Sequence, residues 1–398
     1  MARNIVICSD GTGNTFDDGI SNVTRLIRLL ALDDHTRQVA AYDQGIGTNA
    51  RRVDDVRAFA RTIPDSDALV ILPAPRRIWF SPTGVVARGL GLAFGYGLEA
   101  NVAEMYEAVS RLYEGPDDRI FLFGFSRGAF TVRALAGLIY RCGLPPRETS
   151  DAGKCFAEAW RLYQPHRGWE DRVAEFRGRC GQRDARIRFM GIWDTVKSYG
   201  GLNPTSLPHL RHNPIVRCVR HALSLDEHRS WFNATTWGRL DLDKKGAMTR
   251  LKIDDLPSYE KQSIEEVWFR GCHSDIGCGP IALRWMLAEA VAAGLEVTNA
   301  ATTVLTSGDP APSITESDTW YWRAIDQVPR KEIDNSGTWP VKHWVRGRTG
   351  VRHPGALRRG GVVSLHSSVP TDQNIEPPVC RVPTKSLAEI ERVRSAGL

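Results

Sequence analysis

A chain of 398 residues has room for one large α/β domain with insertions or for two to three smaller ones, and it can fold without a disulfide or a metal. Its composition, 42% hydrophobic and 25% charged, is that of a globular protein; the net charge of +6, with arginines spread along the chain, argues against a dedicated nucleic-acid surface and leaves weak attraction to anionic membranes open. The eight cysteines include no C-x-x-C pair, so zinc spacing is missing, and no metal or cofactor is expected.

Met1 leads straight into an apolar run, Asn4–Cys8, with no long hydrophobic region or small-residue cleavage site. No Sec-type leader is therefore expected, and the expected location is the cytoplasm, with any export following a leaderless route. No apolar stretch reaches the roughly 18 residues that span a bilayer; the nearest, Val85 to Leu98, is broken by Arg88 and several glycines. A soluble protein of unassigned oligomeric state is expected.

The loop after this first strand, Cys8-Ser-Asp-Gly-Thr-Gly-Asn-Thr15, is rich in small residues but lacks both G-x-x-x-x-G-K and G-x-G-x-x-G, which argues against a phosphate loop. A helix is predicted over Leu98–Tyr113, a buried strand over Arg119–Phe123 and a second helix over Arg127–Tyr140, each from its apolar spacing. Residues 147–184 are charged and read as an insertion or cap. Further buried strands follow at Ile187–Trp193 and Glu266–Phe269, and a weaker one at Gly361–Leu365; residues 300–360 between them lack periodicity and read as loops with short elements. Strands alternating with helices predict a single α/β-hydrolase-like domain over residues 1–398, with a mostly parallel sheet flanked by helices on both faces.

Gly124-Phe-Ser-Arg-Gly128 fits G-x-S-x-G. The bare pattern is weak, with roughly 0.2 matches expected by chance in such a chain. Its context is specific, because a tight turn between an apolar strand and a helix exposes the serine Oγ above the sheet, where helix N-terminal amides can receive an oxyanion. Ser126 is therefore the expected nucleophile. Amides of Gly11 or Thr12 and of Arg127 are candidates for the oxyanion hole, and Asp10 is expected to orient the first loop or to pair with Arg127. In this fold the acid follows the serine and the base follows the acid, each just past a strand. Asp194 and Asp275 qualify as acids, His273 and His366 as bases. Two assignments result: Ser126 with Asp194 and His273, or Ser126 with Asp194 or Asp275 and His366. Tyr96, with Phe94 and Phe125, would suit a lipid-like substrate.

Seven blocks occur in order: Asp10-Gly-Thr-Gly-Asn14, Tyr42-Asp-Gln-Gly-Ile-Gly-Thr48, Gly95-Tyr-Gly-Leu98, Gly124-Phe-Ser-Arg-Gly-Ala-Phe-Thr131, Trp193-Asp-Thr-Val196, His221-Ala-Leu-Ser-Leu-Asp-Glu227 and His273-Ser-Asp-Ile-Gly277. Together they resemble an α/β-hydrolase-domain family that includes the catalytic modules of type VI secretion phospholipase effectors. The resemblance covers about residues 3–280, with a looser echo at Leu365-His-Ser-Ser-Val369, and departs from the family at Ile276-Gly-Cys-Gly-Pro280. It implies hydrolysis of carboxylic esters, with glycerophospholipids as the substrate class. It also implies Ser126 as nucleophile, Asp194 as acid, a base left between His273 and His366, and no metal. An ester or lipid substrate, met in solution or at a membrane surface, is thus the expected partner, and nucleic acid is not. The rival reading is a scaffold that keeps the fold without turnover and acts as a binding or toxin-accessory protein. It predicts that no histidine and aspartate line up behind Ser126.

Overall fold

The computed structural model describes residues 2–11, 20–45, 50–73, 97–147, 152–164, 169–196, 207–237, 262–312, 314–317, 322–323, 327, 330–334, 341–345, 352, 363–370 and 379–396. In chain order the elements are β1 (Asn4–Ser9), α1 (Asn22–Leu29), β2 (Gln38–Asp43), α2 (Ala50–Ala60), β3 (Leu69–Ile71), α3 (Leu98–Leu112), β4 (Arg119–Phe125) and α4 (Arg127–Cys142). There follow α5 (Ala152–Tyr163), α6 (Trp169–Cys180), β5 (Ile187–Trp193), β6 (Val216–Ser224), β7 (Ser263–Phe269), α7 (His273–Cys278), α8 (Pro280–Ala292) and α9 (Asn299–Thr306). The chain ends with the antiparallel pair β8 (Arg330–Asp334) and β9 (Val341–Val345), then β10 (Val363–His366), β11 (Val379–Val382) and α10 (Leu387–Ser395).

A nine-stranded sheet runs β11-β10-β7-β6-β5-β4-β1-β2-β3, and its pairings are parallel. Both faces are covered, which explains why the strands read as continuous apolar runs. Ile5, Ile7, Ile120 and Leu122 pack with Met105 and Val109 of α3 and Leu135 and Leu138 of α4. Val6, Cys8, Phe121 and Phe123 turn the other way, against Leu26 and Ile27 of α1 and Met286 and Leu287 of α8. This is the parallel α/β architecture, with helices on both faces, expected from the sequence. Among the described residues no helix is long and apolar enough to cross a membrane.

From β1 the sheet grows through β2 and β3 on one side and through β4, β5, β6 and β7 on the other. The order therefore reverses between β1 and β4, and the C-terminal ends of those strands frame the crevice in which open α/β sheets place ligands. The segment 147–184 carries α5 and α6, and 300–360 carries most of α9 with β8 and β9.

Strands β2, β3, β6 and β11 of the sheet are additions to those expected from the sequence. β6 lies in the middle of the sheet, where Arg220 and His221 interrupt its apolar residues. Both are buried against acids: Arg220 Nε donates to Glu289 Oε2 of α8 at 2.6 Å, and His221 Nδ1 lies 2.9 Å from Glu266 Oε1 of β7. Lys385, just before α10, bonds the other oxygen of Glu289. Removing one partner of such a buried pair leaves a charge without compensation. Glu289→Ala should therefore cost about 3–5 kcal/mol, read as a lower urea midpoint at unchanged slope. A change below about 1 kcal/mol would show that Arg220 finds other compensation.

Candidate active site

Ser126 stands between β4 and α4 with φ 57° and ψ −118°, a backbone region that costs a non-glycine residue about 1–3 kcal/mol. Its N–H donates to Trp193 O at 2.9 Å. The flanking glycines serve close approach: a Cβ on Gly128 would lie 2.1 Å from Ser9 O, and one on Gly124 would lie 2.6 Å from Gly128 O. Only without those side chains can α4 start so near the ends of β1 and β4. Its N-terminus brings the Arg127 amide and the positive end of the helix dipole next to Ser126.

His273 opens α7, just past β7, and its Nε2 lies 2.8 Å from Ser126 Oγ. Its Nδ1 lies 2.6 Å from Asp194 Oδ2. A carboxylate at Nδ1 requires that nitrogen to carry the proton, so Nε2 presents its lone pair to the serine hydroxyl. The imidazole is held between two rings, Phe125 at 4.7 Å and Phe232, edge-on, at 4.9 Å. Its backbone N–H donates to Glu227 Oε2 at 3.1 Å, and the same carboxylate accepts from Arg229 Nε and Nη2. Burial pulls the His273 imidazole below its ordinary value, an effect that Asp194 offsets in part.

Asp194 follows β5 with φ 40° and is fully buried. Ser224 donates to it twice, from N to Oδ1 at 3.0 Å and from Oγ to Oδ2 at 3.2 Å. Arg352 Nη1 donates to Oδ1 at 2.5 Å. Burial pushes the carboxyl up, but the Arg352 cation and the His273 hydrogen bond outweigh it and hold Asp194 well below the usual carboxylate range. His221 sits beneath this turn, its Nε2 accepting from Thr195 N at 3.3 Å.

The other candidates are engaged differently. His366 ends strand β10 and does not project on a loop beyond it. Its ring stacks on Phe269 at 4.6 Å, its nitrogens lie against Ser368 Oγ and Thr384 Oγ1 at 2.9 and 3.1 Å, and burial brings it down to about 4. Asp275 is occupied as a cap: it accepts from Cys272 N at 2.8 Å and from Thr315 N and Oγ1 at 2.9 and 2.7 Å. Asp10 orients the first loop. One of its oxygens accepts from Ser21, Thr24 and Tyr42, and the other from the Gly11 N–H at 2.7 Å. Gly11 does lie beside Ser126, since a Cβ there would come within 3.4 Å of the serine Cβ, but its N–H points to Asp10. Thr12, Phe94 and Tyr96 fall outside the described residues.

Sequence reasoning missed Ser224, Glu227 and His221, although all three sit in the block His221–Glu227. It also missed Phe232 and Arg352, which no local pattern marks. Among the described residues, His35, Asp65 and Asp67 bring possible metal-ligand atoms within 4.8 Å of one another. They precede the N-terminal ends of β2 and β3, whereas Ser126 follows the C-terminal end of the parallel strand β4, and the 2.7 Å contact of His35 with Asp65 is a hydrogen bond between neighbouring loops.

Residues 3–289 match the family model described as "T6SS, Phospholipase effector Tle1-like, catalytic domain". The chain is 33% identical over 245 residues to the uncharacterized protein YEL023C of Saccharomyces cerevisiae, an alignment spanning 58% of this chain and 32% of the yeast protein. Two solved structures share 18% and 17% identity with it. An uncharacterized protein from Pseudomonas aeruginosa gives a TM-score of 0.35 over 75% of this chain and 46% of that one. The Tle1 effector bound to the VgrG spike of the type 6 secretion system gives 0.27 over 70% and 52%. The chain thus spans about a third of the yeast relative's length and about half of each solved chain. The match over residues 3–289 encloses Ser126, Asp194 and His273, and by it the chain belongs to the Tle1-like phospholipase effector catalytic-domain family, a group of lipase- or phospholipase-like hydrolases.

Proposed function

We propose that the protein is a serine hydrolase that cleaves carboxylic esters through an acyl-enzyme, with lipid esters, phospholipids among them, as its substrate class. The observation that carries this reading is the unbroken chain Ser126 Oγ–His273 Nε2–Asp194, with contacts of 2.8 and 2.6 Å, at the reversal point of a parallel sheet. A scaffold without turnover gives no reason for a strained serine, an imidazole and a buried carboxylate to line up in this order.

In this reading Ser126 Oγ attacks the acyl carbonyl while His273 Nε2 takes its proton. Asp194, fixed as a carboxylate, holds the Nδ1–H tautomer and stabilises the imidazolium. The negative charge that develops on the carbonyl oxygen falls at the N-terminus of α4, where the Arg127 amide is the first donor. The second donor is assigned to the loop after β1: to Thr12, or to Gly11 once its N–H leaves Asp10. His273 then protonates the departing alcohol, and a water deprotonated by the same nitrogen releases the acid. The choice of lipid over other acyl groups rests on the family's description as phospholipase-like.

Incubation with a fluorophosphonate probe and with a panel of p-nitrophenyl esters and phospholipids tests the reading. Wild type should label once and turn over esters, and Ser126→Ala should do neither; equal activity of the two would remove Ser126 from the role. His273→Ala should lower kcat by several orders of magnitude, on the order of 10⁴-fold. His366→Ala, which removes a stacked core ring, should instead act mainly through stability.

The pH profile follows from the buried imidazole. The base works only when neutral, and its ordinary value of 6.5 is lowered by burial. The acid limb of kcat/KM should therefore fall below pH 6.5, with activity retained as pH drops through that value. An acid limb above it would mean that another group controls the proton.

A further inference from the structure

The family match ends at residue 289, yet one side chain that touches Asp194 comes from well beyond it. Arg352 is buried, its side chain 5% exposed, and its guanidinium fork meets four backbone or side-chain acceptors around the site, the Ser224 carbonyl at 3.2 Å among them. Nη1 donates to Asp194 Oδ1 at 2.5 Å and to Ser224 Oγ at 2.6 Å; Nε donates to Phe232 O at 3.0 Å, and Nη2 bonds the same carbonyl. Phe232 in turn sets its ring edge-on against His273. One guanidinium therefore fastens the acid and one wall of the imidazole slot together.

We propose that Arg352 is a positioning residue of this site, a clamp from the C-terminal segment that fixes Asp194 Oδ1 so that Oδ2 is left to His273. The inference rests on the Ser126–His273–Asp194 reading above. The fork is suited to the task because a planar guanidinium fixes the direction of a carboxylate as well as its charge. Without this fork the carboxylate would be held by Ser224 and His273 alone, and its direction toward Nδ1 would be less fixed. The clamp thus keeps the acid able to orient the base, and its positive charge also makes the imidazolium harder to form. Other charged or titratable groups also surround the pair, and the substitution replaces none of them. They are His221 under Thr195, Glu227 and Arg229 at the His273 amide, Cys272 and Asp275 on the α7 turn, and Arg127 at the start of α4.

The test compares full-length wild type, Arg352→Gln, Arg352→Lys and Ser126→Ala. It reads fluorophosphonate labelling rate, the kcat and KM for p-nitrophenyl butyrate across pH, and the thermal midpoint of each variant. Arg352→Gln should lower kcat by about 10- to 100-fold, the usual effect of losing an orienting partner, with KM little changed. Its acid limb should move to higher pH, because loss of a nearby cation makes His273 easier to protonate. Arg352→Lys keeps the charge and loses the fork, so it should hold the wild-type limb while recovering only part of kcat. A merely structural role would shift the thermal midpoint and leave the limb where it was. A folded Arg352→Gln with wild-type kcat and limb overturns the proposal. So does failure of both Arg352 variants to fold, which would make the residue a support of the fold alone. Wild type that behaves like Ser126→Ala defeats the hydrolase reading itself, and the clamp falls with it.

Discussion

A carboxylate sealed from water must be matched by donors, and much of this site follows from meeting that demand at Asp194. Its two oxygens draw hydrogen bonds from Ser224 on β6, His273 on α7 and Arg352 in the C-terminal segment. These residues span 158 positions of sequence, from 194 to 352. The turn after β5, the strand beside it, the loop past β7 and a distant segment are thereby drawn to one point. The cost of burying the charge is offset only when these groups arrive together, so the local geometry is cooperative.

The strained Ser126 turn depends on a different kind of support. A residue at φ 57° persists only where the surroundings over-determine it, and here they do. Its N–H is held by Trp193 O, and Gly128 leaves just enough space for α4 to rest against the backbone of Ser9 and Asp10. Apolar clusters on both faces of the sheet fix the strands from which the turn springs. The core and the site are consequently one problem in packing: the strand ends set where the reactive groups stand.

What the amino-acid order revealed, and what it did not, divides along this line. Ser126 was legible because its signal is local, an apolar strand and a helical pattern on either side of two glycines. β5 was legible for the same reason, as was the parallel class of the sheet. The imidazole that meets Ser126 was not, because His273 and His366 both lie at candidate strand ends and the difference between them is made through space. Asp275 sits as well placed in sequence as Asp194, yet its oxygens are taken by Cys272 and Thr315. β6 escaped notice because Arg217, Arg220 and His221 punctuate it, and the acids that make two of them acceptable are Glu289 and Glu266, far along the chain. Arg352 carries no signal of any kind, since a lone arginine in an arginine-rich, aperiodic stretch says nothing about where its side chain ends.

The polar pair at the centre of the sheet has a consequence for how faithfully this fold assembles. Arg220 and His221 are neighbours on β6 and point to opposite faces, one toward Glu289 of α8 and the other toward Glu266 of the next strand. Slippage of β6 by a single residue would exchange those faces and part each group from its own acid, leaving at least one of them buried against apolar neighbours. An all-apolar strand at this position would pack nearly as well in either alignment. The two buried polar residues thus act as a key cut for one alignment only, and the alignment they select is the one that brings Ser224 beneath Asp194.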